Sequence, residues 1–302
     1  MGTNYRWRKV EPSRDLCGAS KEEFARLMDE LADSWKRNRA QELASRPNRQ
    51  RASGAGRKQT PMWVQLLATM TMWRQNLTTR ATGRLFEVHE RTIRRWRDRV
   101  EAVLLDHGFQ PPGVATAIRS VEDLGAYVAE VLPDQIAVDG TDVARSSPGD
   151  YQEQRAAFSG KTKTHVVKAT VVAGRERRPL WFEANPCGEG RTHDITMLRS
   201  QPQVLATLGL VAAAGVLVMA DKAYQTLPDV LGVNVMVGVR KPKGEPRSIG
   251  NRLYNRVLSS MRMPVEHAIG RLKWWQVMRY WRRAPHRFAT SGRAIAILAS
   301  LI

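Results

Sequence analysis

Cysteine is scarce in this sequence of 302 residues, which contains only Cys17 and Cys187. The two lie in unrelated segments, and neither belongs to a Cys-x-x-Cys pair or to a cluster of cysteine and histidine. A disulfide framework and a zinc finger are therefore both unsupported. A reducing cytoplasm fits this cysteine usage best.

Long apolar runs are also absent. No stretch reaches the roughly 18 apolar residues that a membrane-spanning helix needs, and the mean hydropathy is −0.42. The N-terminal residues are charged and rich in turn formers, unlike a secretory signal. We therefore expect a soluble protein that is neither exported nor bound to a membrane.

Acidic residues are too few to balance the basic ones. The sequence has 48 lysines and arginines against 29 aspartates and glutamates, which gives a net charge of +19 and a pI of about 10.7. Such an excess predicts a polyanionic partner. Nucleic acid is favoured over an anionic membrane because the mean hydropathy is negative and no membrane-spanning run occurs.

The length predicts two modules, preceded here by an N-terminal region that we place at residues 1–59. Helical spacing over residues 20–45 predicts one amphipathic helix, with Ser20 as N-cap and Glu23 completing a capping box. Its apolar positions are Phe24, Leu27, Leu31 and Trp35. The basic segment at 46–59 is typical of a flexible linker and could also lie along phosphates.

Residues 60–113 predict an all-α helix-turn-helix domain. Helical spacing occurs in three runs, Trp63–Trp73, Thr78–Phe86 and Glu90–Leu105, with a short turn before the last. The third run would be the recognition helix, with Ile93, Trp96 and Val100 facing the domain's core. The arginines that we assign to DNA are Arg91, Arg94 and Arg95. A trihelical unit can also bind protein, but the charge favours DNA.

A new domain, 114–302, is predicted after the breaker at 107–113, because β-type runs begin there. The predicted strands are Gln135–Val143, Thr164–Ala173, Leu180–Ala184, Val216–Asp221 and Val233–Val239. The predicted helices are His193–Ser200 and Arg252–Trp275.

Two aspartates follow apolar runs that predict buried strands. Asp139 comes after residues 136–138 and precedes Gly140-Thr141, so we expect its carboxylate at a central strand with a tight turn beside it. Asp221 repeats the arrangement after residues 216–220. Each alone is more often a turn or capping residue than a catalytic one. If the two strands are neighbours, however, the carboxylates meet and suit a metal ion.

A third acid, Glu266, lies in the segment MRMPVEHAIGRLKWW, which otherwise predicts an ordinary amphipathic helix. Together the acids resemble the DDE-type transposases of the insertion-sequence-five and PIF/Harbinger group. That family has Asp-Gly-Thr at its first acid, here residues 139–141, and Asp-x-Gly/Ala-Tyr/Phe at its second, here 221–224. Its third motif spaces Tyr, Arg, Glu and Lys so that Arg262, Glu266 and Lys273 match.

The resemblance covers residues 60–302 and implies an α/β fold: an RNase H-like mixed sheet flanked by helices, preceded by the helix-turn-helix domain. It implies a DNA transposase that binds transposon ends, cleaves DNA and joins the 3′ end to target DNA. Asp139, Asp221 and Glu266 would be catalytic and would hold two Mg²⁺ or Mn²⁺ ions, hard cations that prefer oxygen ligands. Arg262 and Lys273 would contact phosphate, unless they belong to a solvated basic face.

Ser259 and Pro264 depart from the family pattern, and the role of Asp194 stays open. Ser259 replaces the family's tyrosine, so no role of that phenol carries over, and Pro264 predicts a helix start or kink that puts Glu266 in a first turn. Asp194, in the segment GEGRTHD, is either a fourth metal ligand or a helix cap.

The resemblance also implies a homo-oligomer on DNA and a cytoplasmic, nucleoid-associated bacterial protein. Two alternatives stay open: a domesticated relative that regulates by binding DNA, and another RNase H-like nuclease. The tryptophans Trp274, Trp275 and Trp281 lie among arginines and either stack on a flipped base or, as we favour, belong to the core.

Overall fold

The computed structural model describes residues 10–45, 60–111, 114, 116–185 and 190–302. It divides into two compact units, one formed by Met1–His107 with Trp274–Val277 and Leu301–Ile302, the other by Gly108–Lys273 with Met278–Ser300. The predicted linker at 46–59, the domain boundaries at residues 59 and 113, and Cys187 lie outside the described residues. None of the described helices is long and apolar enough to cross a membrane.

The first unit is helical where it is described. Its helices are α1 (Arg14–Cys17), α2 (Lys21–Glu30), α3 (Ala32–Ala44), α4 (Met62–Arg74), α5 (Thr79–Leu85) and α6 (Glu90–His107). The predicted capping box is present: Ser20 Oγ accepts from the Glu23 N–H at 3.2 Å, and the Glu23 carboxylate accepts from the Ser20 N–H at 2.8 Å. The prediction of one continuous helix is wrong, because α2 and α3 are separate and meet at Leu31. Helical spacing continues across this one-residue break, so periodicity does not detect it.

The helices α4, α5 and α6 coincide with the three predicted runs. Between α5 and α6 the chain turns tightly, and the Val88 N–H donates to the Gly83 carbonyl at 2.8 Å. A Cβ added at position 83 would lie 2.6 Å from the Val88 carbonyl oxygen. Glycine at this position therefore allows α5 to approach the turn before α6.

The second unit is built on a mixed sheet. Its strands are β1 (Gln135–Arg145), β2 (Phe158–Ser159), β3 (Thr164–Ala173), β4 (Pro179–Ala184), β5 (Leu217–Ala220), β6 (Val235–Val237) and β7 (Tyr280–Trp281). The antiparallel strands β4, β3 and β1 are followed by β5 and β6, which run parallel to β1. Short strands complete it, with β2 on β3 and β7 on the far end of β1. All five predicted strands are confirmed.

Helices flank this sheet. They are α7 (Val121–Val131), α8 (Tyr151–Ala157), α9 (Asp194–Arg199), α10 (Pro202–Ala213), α11 (Leu227–Leu231), α12 (Ile249–Trp274) and α13 (Arg287–Leu301). The predicted helices correspond to α9 and α12. The helices α7, α8, α10, α11 and α13 were not predicted. Of these, α10 and α13 are apolar or small around most of their circumference and so show no clear amphipathic stripe. α13 packs on β4, where a Cβ at Gly292 would lie 2.7 Å from the Phe182 ring.

The three tryptophans near the end of α12 differ in their surroundings. Trp275, in the first unit, and Trp281, in the second, are buried, as predicted for core residues. Trp274 is 45% exposed, and the guanidinium of Arg74 lies 5.3 Å from its ring centroid. The core prediction is therefore confirmed for two of these side chains and wrong for Trp274.

Candidate active site

Asp139 lies in β1, and Asp221 directly follows the neighbouring strand β5. β1 and β5 are parallel partners, and the register pairs Val138 with Ala220, the residues directly before the two aspartates. The expected tight turn after Asp139 is wrong, because β1 continues to Arg145 and Gly140 pairs with Thr170 of β3. The carboxylate therefore projects from within a central strand.

Arg262 of α12 bridges the two carboxylates. Its Nη2 lies 2.8 Å from Asp139 Oδ2, and its Nη1 lies 3.5 Å from Asp221 Oδ1. The Arg262 side chain is 8% exposed, so this guanidinium is a buried cation rather than part of a solvated basic face. The backbone N–H of Gly140 adds a 2.8 Å hydrogen bond to Asp139 Oδ1.

Asp139 is a carboxyl whose ionisation is disfavoured in the folded protein. Burial raises its pKa to about 6, although the charge of Arg262 and the hydrogen bond from Gly140 act in the opposite direction. The negative charges of Asp221 and Asp194 also raise it, and about 6 is the value that results from all of these effects. A group of carboxylates that repel one another is stabilised by a bound cation.

The helix that carries Glu266 is continuous. α12 begins at Ile249 and passes through Pro264, so the expectation that Glu266 lies in a first turn is wrong. Proline removes one backbone hydrogen-bond donor, yet helical residues continue on both sides of Pro264. Arg262 and Glu266 are therefore neighbours one turn apart on the same side of α12.

α12 runs along β1. The Gln135 side chain donates to the Met261 carbonyl at 3.3 Å, Arg262 contacts Asp139, and Lys273 Nζ donates to the Asp142 carbonyl oxygen. Glu266 lies between these last two contacts, exposed to solvent. No three acidic, histidine or cysteine side chains in the described part of the chain are grouped closely enough to hold a metal ion.

Asp194 pairs with a buried lysine and is not a helix cap. The N-cap of α9 is His193, which makes no side-chain capping bond, and Asp194 is the first residue of the helix. Lys168 Nζ donates to the Thr192 carbonyl at 2.8 Å and lies 3.3 Å from Asp194 Oδ1 and 3.5 Å from Asp142 Oδ1. The β1–β3 register sets Asp142 opposite Lys168, which explains their pairing.

Gly140 makes room for the Asp194 carboxyl. A Cβ at position 140 would lie 2.9 Å from Asp194 Cγ. Successive strand residues project to opposite faces of a sheet, so the Asp194 carboxyl lies on the face of β1 opposite to the Asp139 side chain. Glycine in the Asp-Gly-Thr segment is thus explained by close packing rather than by a turn.

Tyr224, which ends the segment that begins at Asp221, is completely buried, and its hydroxyl has no hydrogen-bond partner among the described residues. Burial raises the pKa of this phenol well above its ordinary value, and the charges of Asp139, Asp194 and Asp221 act in the same direction. Tyr224 therefore stays neutral beside the carboxylates.

An open cleft of about 970 Å³ in the second unit is lined by Asp194, Asp221 and Lys273. Its other basic lining residues are Lys161, Lys168, Arg191, Lys222, Arg240, Lys241 and Arg247. Burial lowers the pKa of Lys273 to about 8, although the charge of Asp142 opposes this change. The cleft therefore brings together carboxylates, which can bind metal ions, and an excess of cations, which suits a polyanion.

Comparison with known proteins identifies the family. The model of the DDE superfamily endonuclease family matches residues 138–302, which is more than half of the chain. The chain belongs to the DDE superfamily endonucleases. A relative from Microchaete diplosiphon, named "Probable transposase for insertion sequence element IS702", is 24% identical over 234 residues, which cover 77% of each protein. No solved structure matches the chain significantly.

The DDE endonuclease match begins one residue before Asp139 and contains Asp221, Glu266 and Asp194. Endonucleases of this family depend on divalent metal ions. The aspartates of this chain fit such ions, because hard cations prefer carboxylate oxygens and because Asp139 and Asp221 already share one cationic group.

Lys168 and Asp142 were not predicted from the sequence. A signal for Lys168 was present, since it is the one charged residue of the mostly apolar segment 166–173. A charge in a buried strand requires a partner, and the cross-strand position of Asp142 supplies it. Arg240, Lys241 and Arg247 of the cleft carried no periodic or motif signal.

Proposed function

We propose that this DDE endonuclease is a DNA transposase of the insertion-sequence-five and PIF/Harbinger group, which binds transposon ends, cleaves DNA and joins the 3′ end to target DNA. The observation that carries the proposal is the pair of Asp139 and Asp221 on adjacent parallel strands, bridged by a buried cation. The name of the relative from an insertion sequence supports it.

Asp139 and Asp221 would hold two ions of Mg²⁺ or Mn²⁺. When bound, such ions activate the attacking oxygen and neutralise charge on the leaving oxygen of a phosphodiester. Asp139 contributes a carboxylate held by the Gly140 N–H, so its position is fixed within the sheet. Asp221 is 40% exposed and presents its carboxylate to the cleft, where a DNA strand has access.

Glu266 completes the catalytic group in this proposal. It lies on α12 between Arg262, which contacts Asp139, and Lys273, which donates to the Asp142 carbonyl oxygen. Its exposure leaves the carboxylate free to turn toward a metal ion. Asp194 is a further candidate ligand, but its pairing with Lys168 and its place on the opposite face of β1 favour a supporting role.

The basic wall of the cleft would hold the DNA backbone. Lys273 lies in this wall, and its ammonium group suits phosphate contact as a point charge. Arg262 is buried against the acids, so its assigned phosphate contact requires it to move.

The helices α4, α5 and α6 would bind DNA as a helix-turn-helix domain. α6 buries Ile93, Trp96 and Val100 and exposes the three arginines assigned to DNA, as the spacing predicts. Those arginines are Arg91, Arg94 and Arg95. Their exposed positions at the start of α6, after the tight turn, suit insertion of that end into a major groove.

The order of β4, β3, β1, β5 and β6 supports an RNase H-like catalytic domain. Synapsis of two transposon ends would require a homo-oligomer on DNA, and the relative from an insertion sequence favours a cytoplasmic, nucleoid-associated bacterial protein.

The test replaces Asp139, Asp221 and Glu266 singly with alanine and measures metal-dependent cleavage of DNA that carries the terminal inverted repeats. Each variant should lose cleavage and retain end binding, because the acids act on the reaction and not on the helix-turn-helix contacts. Glu153→Ala, an exposed acid of α8 outside the cleft lining, is the control and should cleave normally. Normal cleavage by any of the three variants would refute the assignment. A wild-type protein that binds ends without cutting them would indicate a regulator instead.

A further inference from the structure

Arg262 occupies the oxygens that a metal ion would need. Its guanidinium contacts Asp139 Oδ2 and Asp221 Oδ1 at once, at 2.8 and 3.5 Å. Because Asp139 Oδ1 already accepts from the Gly140 N–H, an ion shared by the two aspartates would need Asp139 Oδ2, which Arg262 contacts. Metal and guanidinium therefore compete for one position.

The acids are the partners that hold this guanidinium. Arg262 Nε is buried and has no hydrogen-bond partner among the described residues, so no additional contact of that atom fixes the group in place. A buried arginine requires a counter-charge, and the aspartates supply it. Moving Arg262 away from the aspartates therefore costs free energy unless the guanidinium and the carboxylates each gain a new partner.

We propose that Arg262 is the resident counter-ion of the metal-free aspartate pair, and that a divalent ion binds Asp139 and Asp221 by displacing it. This inference rests on the proposed function for the identity of the metal ligands. The displaced guanidinium then binds a phosphate group of the DNA strand in the cleft. The planar arginine fork matches the geometry of a phosphate. Arg262 thus links metal entry to substrate contact and keeps the acids neutralised in the absence of both.

The experiment measures metal binding without DNA and without catalysis. Mg²⁺ and Mn²⁺ are titrated into the full-length wild type, Arg262→Gln and Arg262→Lys, and the thermal unfolding midpoint is followed at each metal concentration. Arg256→Gln is the matched control, because Arg256 is an exposed arginine of the same helix. Arg262→Lys keeps the positive charge but loses the bidentate fork.

In Arg262→Gln the metal-free protein should unfold at a lower temperature, because its carboxylates repel one another without a counter-ion. The metal concentration that gives half of the full stabilisation, its metal midpoint, should fall by about tenfold to a hundredfold, the factor expected when a charged hydrogen bond no longer competes with the metal ion. Arg262→Lys should lie between this variant and the wild type, and Arg256→Gln should match the wild type. A merely structural role of Arg262 would lower the unfolding temperature without tightening metal binding.

An unchanged or weaker metal midpoint in both Arg262 variants would overturn the inference and leave the proposed function intact. Absence of metal binding in the wild type and in every variant would overturn both. If Arg262→Gln does not fold, the lysine variant and a crystal structure of the wild type with Mn²⁺ decide the question. That structure should show the guanidinium away from both carboxylates, and a guanidinium that still bridges them beside a bound ion would refute the displacement.

Discussion

Substitution of Asp139 by asparagine should stabilise the metal-free protein at neutral pH. The pKa of Asp139 is raised from 3.8 to about 6 in the folded state. Each pKa unit corresponds to about 1.4 kcal/mol, so the ionised carboxylate lowers the free energy of unfolding by about 3 kcal/mol at a pH above 6. Asparagine has nearly the same shape and carries no charge to bury, and Arg262 keeps Asp221 as a counter-charge. The pKa of about 6 already includes the opposing effect of Arg262.

The raised pKa of Asp139 also predicts how the stability of the wild type changes with pH. Between about pH 4 and 6 the native state holds more protons on Asp139 than the unfolded state does, so the stability contributed by this group falls as pH rises through that window. Urea unfolding of the wild type and Asp139→Asn in the presence of a metal chelator measures the difference. The two proteins should be close to equal at about pH 4, and the variant should be more stable by about 3 kcal/mol at about pH 7.5.

Asp142→Asn is the matched control, three residues along β1. Asp142 is a partner of the buried Lys168, so its neutralisation should destabilise the protein by about 1 to 3 kcal/mol. The reasoning about Asp139 would be refuted if Asp139→Asn were as destabilising as Asp142→Asn at neutral pH. It would also be refuted if the difference from the wild type did not change with pH.

Other consequences concern DNA binding and packing. Because the pKa of Lys273 is lowered to about 8, its charge is lost as pH rises through that value, and DNA affinity should fall between about pH 7 and 9 in the wild type but stay constant in Lys273→Arg. Alanine at Arg91, Arg94 or Arg95 should each lower the slope of log affinity against log salt by about one, measured by fluorescence anisotropy; unchanged slopes would remove these arginines from the interface. Tyr224→Phe should raise the free energy of unfolding by about 1 kcal/mol, since it removes a buried hydroxyl without a partner; a loss of stability would reveal a hydrogen bond.

Strand positions were predictable because their signal is local. The apolar run before Asp139 and the one before Asp221 are bounded by polar residues, and the structure places strands there. The break at Leu31 was not predictable, and neither was whether the helix predicted over Arg252–Trp275 would kink at Pro264 or pass straight through it. Both depend on how neighbouring elements pack, which periodicity and single-residue propensity do not report.

The residues of the candidate site were easier to predict from the sequence than the side chains they contact. The motif spacing pointed to Asp139 and Asp221, and the parallel register of β1 and β5 brings them together. The arrangement of Arg262 between the aspartates and the pairing of Asp194 with Lys168 arise from three-dimensional contacts of distant segments. No spacing in the sequence encodes those contacts.

The measurement that tests the central claim most directly is strand transfer. Purified protein, DNA ending in the terminal inverted repeats of the element and a supercoiled target are incubated with Mg²⁺ or Mn²⁺, and joined products are resolved on a gel. The account predicts joined 3′ ends with the wild type and none with Asp139→Ala or when metal is chelated. Cleavage without joining would indicate another RNase H-like nuclease, and joined products from Asp139→Ala would contradict the account.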